Sequence, residues 1–308
     1  MLFLLVIFVF FEIIVMSPNL LEQSQDDLAE LELAASSTQE SKGGMEQKLQ
    51  GVHLVENAAN EKGWELFAQG ATGTTALDWV VKDVKVNFFH ENKPSFTVTG
   101  EQGEVIGASK DMVIRGNVKT TSTNGYSFQT DTMNYLAGTK MMSSVDEVYM
   151  EGPPDTGGQG FKLNGEKLLL DINKNKMSIL DKVVASKKVN GKDFNITSVR
   201  ADFYNTNQEA LFSGDVRMQW DTLKIEAPLA QFNYSKTTKA LVRIVLRQGV
   251  KFSDANRSGS SQELELDLVE NKMTMRGQPK VQQGEDEISG QEIVFIDGGK
   301  KVKINKLK

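Results

Sequence analysis

The chain has no cysteine, which removes disulfides, thiolate metal sites and a cysteine nucleophile from consideration. Histidine is nearly absent as well: His53 and His90 are the only two, far apart and outside any metal or triad motif. Positive charge is not in excess. With 35 Lys and Arg against 41 Asp and Glu the formal charge is −6, which argues against a nucleic-acid partner. A carboxylate pair placed for glycoside hydrolysis is also missing; the acids scatter over expected loops and outer faces, Asp202 among them. Nothing in the chain asks for a cofactor, and it reads as a non-enzyme. At 308 residues it holds one elongated β domain or two ordinary ones.

The N-terminus has its own omissions. "MLFLLVIFVFFEIIVM" (1–16) is apolar except for Glu12, no Lys or Arg precedes Lys42, and no A-x-A site follows. A cleavable signal peptide wants both. Sixteen helical residues reach about 24 Å, against the ~30 Å of a hydrocarbon core. An uncleaved single-pass anchor still fits better than a cleaved signal, since the acidic, base-free flank (Glu22, Asp26, Asp27, Glu30, Glu32, Glu40) suits the translocated side of a membrane. Residues 17–49 read as a polar tether, and globular sequence is expected from near Gly51.

What is present from there on is a repeat. An eight-residue word recurs as VTGEQGEV (98–105), FQTDTMNY (128–135), LNGEKLLL (163–170), ITSVRADF (196–203), IEAPLAQF (225–232), GSSQELEL (259–266) and ISGQEIVF (288–295). Its first and last positions are apolar and its third is small; the sixth copy breaks the first position with Gly259. A near-regular period in the low thirties marks an array of supersecondary units. Polar turns follow the words ("AGTK", "NKNK", "NTNQ", "YSKTTK", "VENK", "DGGK"), and apolar alternation resumes after them, which predicts β-hairpins. Glycines expected at bends are Gly116, Gly152, Gly214, Gly249 and Gly277. First and last residues of a word differ in parity, so both face inward only if the strand bends, and the small third position is where the bend is expected. Antiparallel hairpins then favour a sandwich or a folded-over sheet above a parallel β-helix. An elongated stack also leaves an exposed edge at each end, open to strand addition.

One string imitates a metal site. Asp171, Asn173 and Asn175 alternate like the first ligands of an EF-hand loop, but the positions that need Gly and Glu hold Lys176 and Lys182. A hairpin turn is the better reading.

Beyond these patterns the sequence resembles a family. "GWELFAQGAT" (63–72), "FTVTGEQGEV" (96–105), "MVIRGNVKTTSTNGYSFQTDTMNYL" (112–136), "LFSGDVRMQWDTLKIEAPLAQF" (211–232) and "GQPKVQQGEDEISGQEIVFIDGGKKVKI" (277–304) follow in order after the apolar start. Together they resemble the lipopolysaccharide-export bridge proteins: residues 1 to about 185 the anchored LptC-like component, and about 190–308 the soluble LptA/OstA-like one. The resemblance implies an all-β, elongated β-taco or β-jellyroll behind one N-terminal transmembrane helix, divided as anchor 1–16, tether 17–49, LptC-like domain 50–188 and LptA-like domain 189–308. It implies a place at the inner membrane of a Gram-negative bacterium with the bulk in the periplasm, and lipopolysaccharide as cargo. The implied partners are ABC-transporter membrane subunits of LptF/LptG type and LptA-like or LptD-like components joined by edge strands. An anchored component normally carries one such domain, and this chain carries about two.

The groove residues expected on this basis are Phe128, Met133, Tyr135, Leu163, Leu168, Phe203, Ile225 and Phe232, with Trp64 and Leu66 near the mouth. Phe203 is expected inward and Asp202 outward. An inward apolar residue in a β stack is more often plain core. The alternative function is therefore a structural or adhesive envelope β-repeat with a dry interior.

Overall fold

Period-two alternation rich in Val, Ile, Phe and Thr builds strands because each pleat sends one side chain in and the next out. The computed structural model describes residues 47–58, 61–73, 78–154, 160–189, 191–204 and 208–305, all within a unit spanning Glu46–Lys308. The apolar run 1–16 and the tether up to residue 46 lie outside the described residues. Six long strands come first: β1 (Gln47–Ala58), β2 (Glu61–Gly73), β3 (Asp78–His90), β4 (Lys93–Ile106), β5 (Asp111–Ser122) and β6 (Ser127–Leu136). Two interrupted rungs follow, β7 (Met141–Ser144) with β8 (Val148–Glu151), and β9 (Lys162–Gly165) with β10 (Lys167–Asp171). Then come β11 (Lys176–Val189), β12 (Lys192–Tyr204), β13 (Glu209–Trp220), β14 (Leu223–Tyr234), β15 (Leu241–Ser253) and β16 (Ser258–Asp267). The chain closes with β17 (Lys272–Arg276) and β18 (Lys280–Gln283), β19 (Asp286–Ser289) and β20 (Glu292–Ile296), and β21 (Lys301–Asn305). Among the described residues there is no helix.

Each rung pairs antiparallel with the next one in sequence, so the 21 strands form one up-and-down meander. The sheet is continuous where the two halves of the chain meet, with β11 and β12 paired from Lys176↔Tyr204 to Val189↔Lys192. Among the described residues β1 pairs only with β2, and β21 only with β20, which leaves one free edge at each end. The EF-hand look-alike is a hairpin turn. Asp171 pairs with Lys176, its carboxylate accepts the Lys174 backbone N–H at 3.0 Å, and Asn175 supplies the positive φ of 50°.

Every rung bends once at the same level. In β6 the buried residues are Phe128, Thr130, Met133 and Tyr135, while Asp131 and Thr132 both turn outward. The same spacing recurs as Ile196, Ser198, Ala201, Phe203 and as Ile225, Ala227, Ala230, Phe232. The bend therefore falls at the fourth and fifth residues of the word, one step beyond the small third residue where it was expected. The small residue instead stays inward, paired with a buried valine on the neighbouring rung, and at Gly100 and Gly165 a side chain would strike Ile114 and Ile179. The pairs are Gly100↔Val84, Thr130↔Val118, Gly165↔Val148, Ser198↔Val183, Ala227↔Val216 and Ser261↔Val250.

Intervening rungs turn with an extra residue and positive φ, as at Gly116–Asn117, Gly214–Asp215, Gln248–Gly249 and Gly277–Gln278. Gly152 departs from expectation: its φ lies outside the left-handed region, and it packs near Tyr126 and Phe161. The third unit has no glycine and uses Asp181–Lys182 instead. Repeated at one level, the bend folds the sheet into two leaves that face each other, a β-jellyroll. The bends form its spine and the hairpin turns of the two leaves meet along the opposite seam.

Candidate functional site

Strand pairing aligns the inward residues into two rows that run along the molecule. In one leaf the row passes Leu66, Val86, Val98, Thr120, Phe128, Met150 and Leu163. It continues through Ala185, Ile196, Met218, Ile225, Phe252, Gly259, Val281 and Ile288. The other leaf offers Met112, Tyr135, Met142, Leu170, Met177, Phe203 and Ala210, then Phe232, Ile244, Leu266, Met273 and Phe295. Fourteen rung spacings near 4.8 Å make the first row roughly 65 Å long before twist. Only Thr120 and Gly259 interrupt its apolar character.

All ten expected groove residues lie on this interior. Trp64, Leu66, Phe128, Met133, Tyr135, Leu163, Leu168, Phe203, Ile225 and Phe232 are each between 0 and 4 % exposed. The leaves are in contact. Phe88 meets Tyr135 at 4.7 Å between ring centroids, Tyr126 meets Phe203 at 5.5 Å, and Phe194 meets Phe232 at 5.9 Å. Phe212 joins two of the expected residues, lying 6.2 Å from Phe203 and 4.8 Å from Phe232. Trp64 is paired with Phe88 on the neighbouring strand.

The residues that sequence reasoning missed are the aromatics nearest the seam: Phe96, Tyr126, Phe161 and Phe194. Each sits two residues before a word, so extending the period-two pattern by one step would have found them. The interior chemistry is correspondingly uniform. Burial pushes the Tyr126 hydroxyl up to about 12, and burial together with the nearby Glu56 and Asp111 carboxylates does the same to Tyr135. Two indole N–H groups, those of Trp64 and Trp220, are buried without a hydrogen-bond partner. Among the described residues no group of three His, Cys, Asp or Glu is placed to hold a metal ion.

The outer face carries the charge, and one expectation about it needs correction. Asp202 points away from the interior, as its alternation with Phe203 requires, yet it is only 5 % exposed. Ser178 donates its hydroxyl to Asp202 at 2.6 Å, Arg200 Nε lies 2.9 Å away, and Lys176 closes the pair at 3.3 Å. Burial opposes the charged form of this carboxyl, but the Arg200 and Ser178 hydrogen bonds and the two cations outweigh it and hold the group below the usual carboxylate range. Parity placed Asp202 correctly; the long side chains that cover it were invisible to parity.

Two family models match the chain. One, described as lipopolysaccharide-assembly, LptC-related, covers residues 6–188, and another, described as LptA/(LptD N-terminal domain) LPS transport protein, covers residues 195–297. No curated protein matches. Among solved structures the chain is similar to LptH, the LptA-homologous periplasmic component of the lipopolysaccharide transport device of Pseudomonas aeruginosa. That similarity is 13 % in identity over 37 % of this chain and 82 % of that one, with a TM-score of 0.34, too loose a superposition to carry an argument. With the first model spanning more than half of its length, the chain belongs to the LptC-related lipopolysaccharide-assembly family.

Proposed function

We propose that this chain is a non-enzymatic periplasmic bridge. Residues 1–16 anchor it in the inner membrane and 17–49 tether it. It accepts lipopolysaccharide from an ABC transporter with LptF/LptG-like membrane subunits and passes it along its interior toward the outer membrane. Residues 50–188 act as the LptC-like receiving domain and 189–308 as an LptA-like extension. LptA-like or LptD-like components join by strand addition at a free edge.

The observation that carries the reading is the pair of apolar rows, one running from β2 to β19 and the other from β5 to β20, so that both cross from one family match into the other. An amphiphile crosses water only if its chains stay in an apolar slot, at roughly 0.8 kcal/mol per buried CH₂. A sheet folded along one spine supplies such a slot, opened by parting the leaves at the seam. The opposing observation is the aromatic contact between the leaves, which favours a dry structural stack.

A photo-crosslinking amino acid at Phe203 separates the two. The outward control is Val199, 52 % exposed, because Asp202 is covered. Irradiation in cells is expected to attach lipopolysaccharide at position 203 and not at 199. No adduct at 203, in folded and membrane-localised protein with its transporter present, would favour the structural stack.

A further inference from the structure

The two leaves differ on their outer faces. On the leaf that carries Phe203, cations and carboxylates are paired with one another. Arg115 meets Glu104 at 2.6 Å, Arg200 meets Asp202 at 2.9 Å, Arg247 meets Glu263 at 3.0 Å, and Arg276 meets Glu265 and Glu292 at 2.9 Å each. The charges of that face find their complement within the chain.

The leaf that carries Phe128 is different. Strand pairing aligns one outward row from β3 to β19, roughly 60 Å long before twist. The second position of each word supplies every other member: neutral at Thr99, Gln129, Asn164, Thr197, Ser260 and Ser289, acidic only at Glu226. The intervening rungs supply Lys85, Lys119, Arg217, Lys251 and Lys280, all exposed, and in the middle Tyr149 and Val184. Cations therefore outnumber acids five to one in this row, on a chain whose formal charge is −6. Arg217 pairs with Asp215 at 2.9 Å; no ion pair joins Lys85, Lys119, Lys251 or Lys280 to another described residue.

Where Tyr149 and Val184 interrupt the cations, the surface is hollowed. An open groove of about 470 Å³ is lined by Lys119, Gln129, Tyr149, Lys162, Asn164 and Val184, with Glu151 its one acid. Tyr149 is 54 % exposed and Val184 45 %. Unpaired like charges in a row repel one another and add nothing to the fold, so their complement lies outside the chain. It has to be extended, anionic at intervals, and able to bond to the hydroxyls and carboxamides set between the lysines. A lipid surface would ask for a continuous apolar stripe, whereas this row exposes only Phe67 at its start and Tyr149 and Val184 in its middle. An acidic glycan meets every requirement. The C–H face of a sugar stacks on an aromatic ring, its hydroxyl and N-acetyl groups bond to amides and hydroxyls, and its carboxylates lie on lysines.

We propose that this outer face is a docking surface for the glycan strands of the cell wall, whose stem peptides carry carboxylates. The inference takes its periplasmic placement from the reading above but needs no lipid in the interior. A bridge from the inner membrane toward the outer one has to pass the wall. The lysine row lies along the bridge, its groove seats sugar rings at Tyr149, and the contact holds the chain in the wall while the opposite leaf stays free.

The test sediments the full chain, in mild detergent, with protein-free cell-wall sacculi. Saturable co-sedimentation is expected, weakening as salt is added, because exposed charges are screened beyond about 8–10 Å at physiological ionic strength. The quadruple variant Lys85→Glu, Lys119→Glu, Lys251→Glu, Lys280→Glu is expected to weaken it about tenfold or more. A control with the same charge change at exposed positions of the other leaf, Lys110→Glu, Lys236→Glu, Lys300→Glu, Lys303→Glu, is expected to stay within about twofold of the wild type. Tyr149→Ala, a single exposed change, is expected to weaken binding about threefold and to leave its salt dependence unaltered. Amidating the carboxylates of the sacculi is expected to remove the salt-sensitive part. No sedimentation, equal loss in the two quadruple variants, indifference to amidation, or a preference for phosphatidylglycerol–phosphatidylcholine vesicles over sacculi would overturn the proposal. Crosslinking at Phe203 reads the interior alone, so either reading can fail without the other.

Discussion

Asp202 shows what a single residue contributes and what it conceals. Its folded-state carboxyl is held below its unfolded value, near 4, chiefly because Arg200 and Ser178 hydrogen bonds outweigh the cost of burial. A depressed carboxyl stabilises the fold above the unfolded value and loses that contribution as pH falls through the folded one. Asp202→Asn is therefore expected to cost about 2 kcal/mol at neutral pH, the scale of charged hydrogen bonds, and to converge on the wild type in acid. Urea unfolding at several pH values reads this directly; a difference that persists undiminished in strong acid would remove the electrostatic account.

At the scale of the element, the bend decides whether a rung belongs to both leaves. Gly214 holds φ at 78°, and a Cβ there would come within 2.8 Å of Val199 on the neighbouring strand. Gly214→Ala adds a left-handed penalty of about 1–2 kcal/mol to that clash, so a loss of about 2 kcal/mol or more is expected. The third unit adopts the same conformation with Asp181 and Lys182, flanked by ion pairs to Lys167 at 2.8 Å and Glu166 at 2.5 Å. Chemical denaturation of Gly214→Ala against the wild type checks the claim; an unchanged midpoint would mean that the corner accommodates a side chain.

Over the whole molecule, stability is set by two leaves sharing one interior, and the tyrosines between them report on it. Tyr126 meets Phe203 and Tyr135 meets Phe88 from opposite leaves. Both hydroxyls are raised to about 12 by burial, with help from Glu56 and Asp111 for Tyr135, whereas an unfolded tyrosine ionises near 10. The raised value favours the folded state below the unfolded pKa, and that advantage is lost as pH climbs from about 10 through about 12. Thermal melting is thus expected to drop steeply over that range, and the double variant Tyr126→Phe, Tyr135→Phe to drop less. Equal alkaline slopes in the two proteins would place the sensitivity elsewhere.

The eight-residue word, its small third position and its polar turns already specify antiparallel hairpins and the inward residues, because side-chain direction in a strand follows parity alone. Hence all ten expected interior residues are buried, and Gly116, Gly214, Gly249 and Gly277 do hold positive φ. Local pattern could not locate the bend to the residue, since the extra residue belongs to the neighbouring rung and register is a property of pairs. Nor could it show that Asp202 is covered, because the cover comes from β11 as well as from its own strand. Arg257 is the sharpest case. In the sequence it is one more turn arginine; only the folding of one leaf onto the other sets it over the Phe295 ring.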